Sequence, residues 1–223
     1  MKGRTVILDH IAEREVAALM VDGKLEDLFV QSDRPAPGTI YRAVADRPVK
    51  GQGGMFLRTP DGTVFLRQVR GLSPGQSLLV QVTGYAEDGK AIPVTQKILL
   101  KSRYAIVTPD APGVNVSRAI RDDDERDRLL GIAHEIDIPE TFGLILRSCC
   151  AGADAEAIAE DIEAMVALAE QVMGDSGSEA EVLVEGDGPH LLAWREWTED
   201  AEIVTEAGGL ENHGALDAID GAR

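Results

Sequence analysis

The chain has 223 residues, 44% hydrophobic and 27% charged, a balance that fits a folded protein with a sizeable core and excludes a disordered or fibrous polymer. Its apolar runs, such as Tyr104 to Val107 and Phe142 to Leu146, fall far short of the ~20 residues of a membrane helix, and the N-terminus carries no apolar leader segment. The net charge of −17 is divided unevenly, +4 over residues 1–103 and −21 over residues 104–223, so the acidity that would repel nucleic acid belongs to the second half.

In chain order, Thr5 to Asp9 predicts a strand. Glu15 to Met20 and Leu25 to Val30 predict a hairpin joined through Asp22-Gly23, a pair suited to the positive φ of a tight turn. The breaker-rich stretch Ser32 to Gly38 marks a boundary. Beyond it the strand signals are short and close together, at 39–44, 54–58, 63–69, 77–85 and 92–100, with turns at Pro60 to Gly62, Pro74-Gly75 and Asp88-Gly89-Lys90. Five such strands in one stretch predict a small barrel. Strand and helix then alternate. Tyr104 to Thr108 reads as a strand, and Asp122 to Glu125 as an acidic helix start that meets the positive end of the helix dipole. Phe142 to Leu146 reads as a further strand, and Asp154 as the cap of a helix carrying the stripe Ile158, Ile162, Met165, Val166 and Val172, which ends before Gly174. Residues 174–188 read as a linker around a weak strand; His190 to Trp197 and Ala201 to Thr205 as two strands; and Leu210 to Arg223 as weakly helical. On a strand, Trp194 and Trp197 would face opposite ways, which assigns both to packing.

Few residues offer catalytic chemistry. The histidines at 10, 134, 190 and 213 are widely spaced, with no His-x-x-x-His pair and no Cys-x-x-Cys, so the spacing supports no zinc site. No nucleophile elbow, phosphate loop or dinucleotide fingerprint is present. Asp9 reads as a strand-end turn residue rather than a magnesium ligand. The adjacent Cys149 and Cys150 cannot form a disulfide framework, which points to a reducing, cytoplasmic setting, and they are expected to act as small hydrophobes without a catalytic role. Arg147-Ser148, lying between a strand and a helix start, has the outline of an anion site: a guanidinium, a hydroxyl and helix-terminal N–H groups converge there.

The block GKAIPVTQKILLKSRYAIVTPDAPGVNVSRAIRDDDERDRL from Gly89, followed by IPETFGLILRSCCAGADAEAIAEDI, resembles the ribonuclease E/G family. The motifs are Ser102-Arg103-Tyr104 running into Thr108-Pro109, Gly113 to Arg118, Glu125-Arg126, and Gly143 to Ser148. The resemblance implies an α+β fold: a ribonuclease-H-like subdomain, residues 1–36 and 174–223, interrupted by an OB-fold RNA-binding barrel at 37–101 and an α/β 5′-sensor subdomain at 102–173. By the same resemblance, Arg147, Ser148, Arg118 and the backbone at Ile106 match a pocket for a 5′-monophosphate, with serine in place of the family's usual threonine. Phe56 and Phe65 match an aromatic platform for RNA bases, and Lys90 a basic residue beside it. Catalysis in the family uses magnesium held on two aspartates in a later nuclease subdomain. No residue of this chain maps onto those aspartates, and the family's zinc-linking cysteine motif is absent, so no catalytic residue, metal ligand or cofactor is assigned here.

These features predict a protein that binds single-stranded RNA and senses its 5′-monophosphate end, within or derived from an endoribonuclease of RNA processing and decay. No membrane partner is expected, and a homo-oligomer is compatible with the sequence. Two other readings stay open: an acidic interaction module that has lost RNA contact, and an endoribonuclease whose catalytic residues escape recognition.

Overall fold

The computed structural model describes residues 3–49, 53–69, 71–86 and 89–220. Asp88 of the expected turn, and the last residues of the expected C-terminal helical stretch, 221–223, lie outside them. The chain forms two compact units, one built from residues 1–33 and 187–223, the other from Arg34–Gly186. No helix among the described residues is long and apolar enough to cross a membrane.

The first unit opens with the antiparallel strands β1 (Arg4–Ile11), β2 (Arg14–Val21) and β3 (Lys24–Val30). Asp22 and Gly23 turn the second hairpin with φ of 50° and 77°, as their residue types favour. The first hairpin makes the same kind of turn with Ala12 and Glu13, at φ of 48° and 66°. Neither residue signals a turn, because both adopt the left-handed region at a steric cost.

The second unit begins with a barrel of β4 (Ile40–Val49), β5 (Gly54–Thr59), β6 (Gly62–Leu66), β7 (Ser77–Val82) and β8 (Ile92–Thr95). The strands pair in the order β4-β5-β6-β8-β7, and β7 returns to β4, closing five strands into a barrel with the parallel pair β6–β8. Tyr41, Leu57, Val64 and Val80 fill its interior. The Tyr41 hydroxyl donates to Asp61 in the β5–β6 turn at 2.6 Å; burial and that carboxylate push the phenol pKa well above its usual value. The strand expected over 92–100 stops at Thr95. From there the Gln81 side chain, buried on the barrel's outer face beside Ile40, takes over the pairing: its amide oxygen accepts from Leu99 N–H at 3.0 Å and its amide nitrogen donates to Leu99 C=O at 2.8 Å.

The chain then enters a second sheet containing β9 (Leu100–Lys101), β10 (Ala105–Thr108), β11 (Gly113–Val116) and, after helix α1 (Asp123–His134), β12 (Gly143–Leu146). The order is β11-β12-β10-β9, with β11 and β12 parallel. Helix α2 (Ala155–Met173) packs Ile158, Ile162, Val166 and Val172 onto one face of this sheet. Asp122 caps α1 by accepting from Glu125 N–H at 2.8 Å, and Asp154 caps α2 by accepting from Ala157 N–H at 3.0 Å, as the acidic helix starts predict. Barrel residue Ile40 and half-buried Leu79 join the same apolar core, so barrel and sheet share their packing.

After α2 the acidic segment returns to the barrel and adds β13 (Glu181–Val184) beside β4. Arg42 of β4 organises this segment. Its side chain is only 7% exposed; it donates to Glu179 C=O at 2.5 Å and to Asp175 at 2.6 Å, and it also pairs with Glu181. A Cβ at Gly177 would lie 1.8 Å from the guanidinium, so only glycine fits there. The Gly186 N–H then donates to the Thr39 hydroxyl at 3.0 Å.

The rest of the chain completes the first unit with α3 (Pro189–Glu196), β14 (Glu202–Val204), α4 (Gly209–Asn212) and α5 (Ala215–Asp220). The strand expected over His190 to Trp197 is a helix instead. Gly188 precedes it and Pro189 takes its first turn, where proline's fixed φ suits a helix and its missing N–H costs nothing. β14 pairs parallel to β1, giving the order β14-β1-β2-β3. Ala17 and Leu19 of β2 face Ala193 of α3, whereas Val16, Ala18 and Met20 face Leu210 and Ala215 of α4 and α5. A strand covered on both faces reads as one continuous apolar run, which explains VAALM. Gly209 lets α4 lie close to the sheet, since a Cβ there would come within 3.0 Å of Ile7 and Val204. Asp9 is not a strand-end residue. It lies inside β1, buried, and accepts from Leu210 N–H at 3.2 Å.

The double variant Ala12→Asn, Glu13→Gly should raise stability by about 1 kcal/mol by relieving the left-handed strain, measured as an increased urea midpoint. Arg42→Ala should lower the thermal midpoint by roughly 5 °C or more, because it leaves the Asp175 carboxylate without its counter-charge in a half-closed site.

Candidate functional site

Two surfaces of the second unit carry the residues singled out in the sequence. The first is the outer wall of the barrel. Along β5 and β6, Met55, Leu57, Val64 and Leu66 point inward, so the alternation turns Phe56 and Phe65 outward, where they are half-buried. The two face each other across the strand pair with ring centres 5.5 Å apart. Gly54 makes room for this arrangement, since a Cβ there would lie 2.5 Å from the Phe65 ring. The Arg47 guanidinium, paired with Phe56 across β4 and β5, stands 5.2 Å from the centre of its ring. Beside the rings is a cavity of about 720 Å³ lined by Phe56, Phe65, Arg67, Tyr85 and Lys90, among others, a size typical of ligand sites. Tyr85 is 54% exposed and Lys90 is exposed. The resemblance described above singles out Phe56, Phe65 and Lys90. Arg47, Arg67 and Tyr85 joined them only in the fold, since a cross-strand neighbour depends on register, which local spacing does not reveal.

The second surface is one edge of the β11-β12-β10-β9 sheet. Because β11 and β12 run parallel and in register, both chains leave at the same end: Ser117-Arg118 from β11 and Arg147-Ser148 from β12. The carboxyl ends of neighbouring parallel strands are where open α/β sheets hold ligands. Ser117 N–H donates to Leu146 C=O at 2.8 Å and Arg147 N–H to Tyr104 C=O at 2.8 Å, so the Ser102 to Tyr104 segment lies at this edge too. Arg118 and Ser148 are exposed, and Arg147 is half-buried. Antiparallel bonding alternates, so the next bonded pair inward from Tyr104 and Arg147 is Ile106 with Ile145. The Ile106 backbone is therefore engaged in the sheet, and Ile106 offers its half-buried side chain on the same face as Arg147, away from α2.

Carboxylates and guanidiniums clamp this edge. Asp161 of α2 accepts from the Ser102 hydroxyl at 2.5 Å and from Tyr104 N–H at 2.9 Å. Ser102 C=O in turn accepts from Arg147 at 2.6 Å, which sets the direction of that guanidinium. Arg126 donates to Ser117 C=O at 3.0 Å and to Ile120 C=O at 2.9 Å, fixing the segment that carries Arg118. Glu125 accepts from Gly152 N–H at 2.9 Å and from both arms of Arg128, at 2.9 and 2.7 Å. These bonds hold the Glu125 carboxyl down at about 2, with Arg128 the larger cause. The sequence motif contained Glu125-Arg126 without revealing that both are clamps. Asp161 went unnoticed, although an acid placed between Ile158 and Ile162 on the buried side of a helix is itself a signal of a partner.

Between Arg147 and Gly152 the chain makes a short 3-10 turn over Ser148–Cys150. The Cys149 thiol donates to Arg103 C=O at 2.9 Å and the Cys150 thiol to Tyr104 C=O at 3.2 Å. Burial raises the pKa of both thiols, that of Cys150 to about 12, so neither is a thiolate at neutral pH. Among the described residues, neither surface gathers three metal-ligating side chains. Of the two tryptophans assigned to packing, Trp197 stacks on Phe29 with ring centres 4.7 Å apart, and Trp194 is 58% exposed on α3.

Residues 99–204 match the model of the Ribonuclease E/G family. The chain is 31% identical over 173 residues to Ribonuclease E of Nostoc sp. and 32% identical over 171 residues to Ribonuclease E of Synechocystis sp., alignments covering 70% and 69% of this chain and 25% of each relative. It is 28% identical over 182 residues to Ribonuclease G of Salmonella typhimurium, covering 70% of this chain and 37% of that protein. The chain thus spans about a quarter to a third of the length of these relatives.

Glu125 carries a depressed pKa, so its contribution to stability should be complete above about pH 4.5 and be lost as the pH falls toward about 2. Glu125→Gln should flatten that part of the stability-against-pH curve, read by urea unfolding at a series of acidic pH values.

Proposed function

Because this chain belongs to the ribonuclease E/G family, we propose that it holds single-stranded RNA on the barrel and reads a 5′-monophosphate at the Arg147–Ser148 edge, serving an endoribonuclease of RNA processing. The observation that carries the reading is the outward pair Phe56 and Phe65, flanked by Arg47, Arg67 and Lys90 beside an open cavity. A barrel built only for stability has no use for two large aromatic rings on its outer wall. For a nucleic acid they offer base-stacking faces worth ~1–3 kcal/mol per base, next to cations for the backbone.

At the sheet edge, Arg147 supplies a charged donor with a fixed direction, Ser148 an exposed hydroxyl, and Arg118 a second cation from the neighbouring strand end. Ile106 contributes an apolar wall on the same face. A terminal monophosphate, with two negative charges and three acceptor oxygens, suits such a set of donors better than an internal phosphodiester does. The strongly acidic remainder of the chain confines RNA to these two surfaces by repelling it elsewhere.

The test compares fluorescently labelled single-stranded RNAs bearing a 5′-monophosphate or a 5′-hydroxyl. Native chain should prefer the monophosphate by about 10- to 100-fold, and Arg147→Ala should abolish the preference. Phe56→Ala and Phe65→Ala should weaken both RNAs alike, by ~1–3 kcal/mol. Equal affinity for the two RNAs would refute end reading while leaving RNA binding intact. Absence of any salt-dependent binding would refute both and favour the acidic half as a protein-docking surface.

A further inference from the structure

Two histidines of the first unit that lie 180 residues apart in the chain, His10 and His190, meet in its fold. His10 lies on β1 and Glu15 on β2, directly opposite each other one step from the Ala12-Glu13 turn. His190, in the first turn of α3, comes down onto this pair, with ring centres of His10 and His190 5.1 Å apart and edge to face. One ligand atom from each of His10, Glu15 and His190 lies within 4.8 Å of the other two. The spacing of 5 and 175 residues hid this cluster from any motif based on local repeats.

We infer that His10, Glu15 and His190 bind a single divalent transition-metal ion of the zinc type. Three independent features of the site support this. The first is the donor set: two imidazoles and a carboxylate suit zinc and its borderline neighbours, while magnesium and calcium prefer oxygen alone. The second is the outer support. His190 Nε2 lies 3.0 Å from Asp9 C=O and 3.2 Å from Val16 C=O. Carbonyls only accept, so Nε2 carries the proton and Nδ1 keeps the lone pair, the arrangement that metal-bound histidines adopt when a backbone carbonyl orients them. The third is the space. Two imidazoles on one tetrahedral ion stand roughly 5 Å apart between ring centres, as these do. Glycine at 188 keeps the third side open, because a Cβ there would lie 2.7 Å from the Glu15 carboxylate.

His10 is exposed and the other two are half-buried, so the ion sits at the surface with a remaining position open to water. Its effect on the fold is a cross-link: it ties the tip of the first hairpin to a helix reached only after the whole second unit. Because the ion binds the folded chain and not the unfolded one, it stabilises the first unit in proportion to its free concentration.

The experiment uses the full chain stripped with a chelator and titrated with zinc by calorimetry, and with cobalt by visible absorption. One ion should bind per chain, cobalt should show the intense bands of a tetrahedral nitrogen- and oxygen-ligated ion, and magnesium should not compete. His10→Ala and Glu15→Gln should each weaken zinc more than about 10-fold and remove the zinc-dependent rise in thermal midpoint. Cys149→Ser, Cys150→Ser should bind as native does. His190→Ala removes bonds to two strand carbonyls as well as a ligand, so the exposed His10 carries the test. The inference fails if no stoichiometric ion binds at micromolar zinc, if His10→Ala and Glu15→Gln bind as tightly as native, or if the cysteine variant loses the ion.

Discussion

A guanidinium taken out of water must find partners inside the protein, and Arg42 is the place where this requirement shapes the chain. Its partners come from a single stretch, Asp175, Glu179 and Glu181, some 135 residues downstream. The stretch wraps closely enough to demand glycine at 177 and then becomes the strand beside β4. The unequal division of charge between the two halves of the sequence is thus partly internal chemistry: a cation from the basic half is neutralised by acids of the acidic half. Val182 and Val184 add apolar contacts, and the β13–β4 ladder backbone bonds, to what this pairing holds in place.

The same economy recurs at the Arg147 edge. Glu125, Arg126 and Asp161 each bond backbone groups of a segment that carries a different exposed side chain, and none of them needs to meet a ligand. Direction at this edge comes from behind, through Ser102 to Arg147 and through Ser117 to the base of Arg118. Glu125, read in the sequence as part of an acidic helix start, and Asp161, in the middle of α2, support from behind a surface that is short and exposed.

What the sequence disclosed followed from local periodicity. The barrel strands, the caps at Asp122 and Asp154, and the Asp22-Gly23 turn were all legible because residue type and spacing dictate them directly. Where a longer-range bond competed, the expectation failed. The strand over 92–100 breaks because a buried glutamine replaces its ladder. The segment after Gly188 becomes helical because its apolar residues need only one face against β2 and β3, and proline favours a helix start. The Ala12-Glu13 turn was invisible because the pairing of β1 with β2 imposes a conformation that neither residue prefers. Phe56 and Phe65 are adjacent on paired strands, but their neighbours Arg47, Arg67 and Tyr85 depend on register and closure of the barrel, which no window of sequence contains.

The bond from Gly186 to Thr39 has a bearing on the order in which the molecule is made. The first unit needs both ends of the chain, since β14 pairs with β1 across about two hundred residues, and closing so long a loop in an unfolded chain carries an entropic cost that grows by ~0.6 kcal/mol with each doubling of length. The inserted unit meets its own entry at its exit, so once folded it presents its two ends side by side and shortens the effective loop to a few residues. Emerging from the ribosome, residues 1–33 would wait as an unpaired hairpin sheet while the insertion folds. That folded insertion then acts as a template for chain closure, making assembly of the first unit a nearly local event.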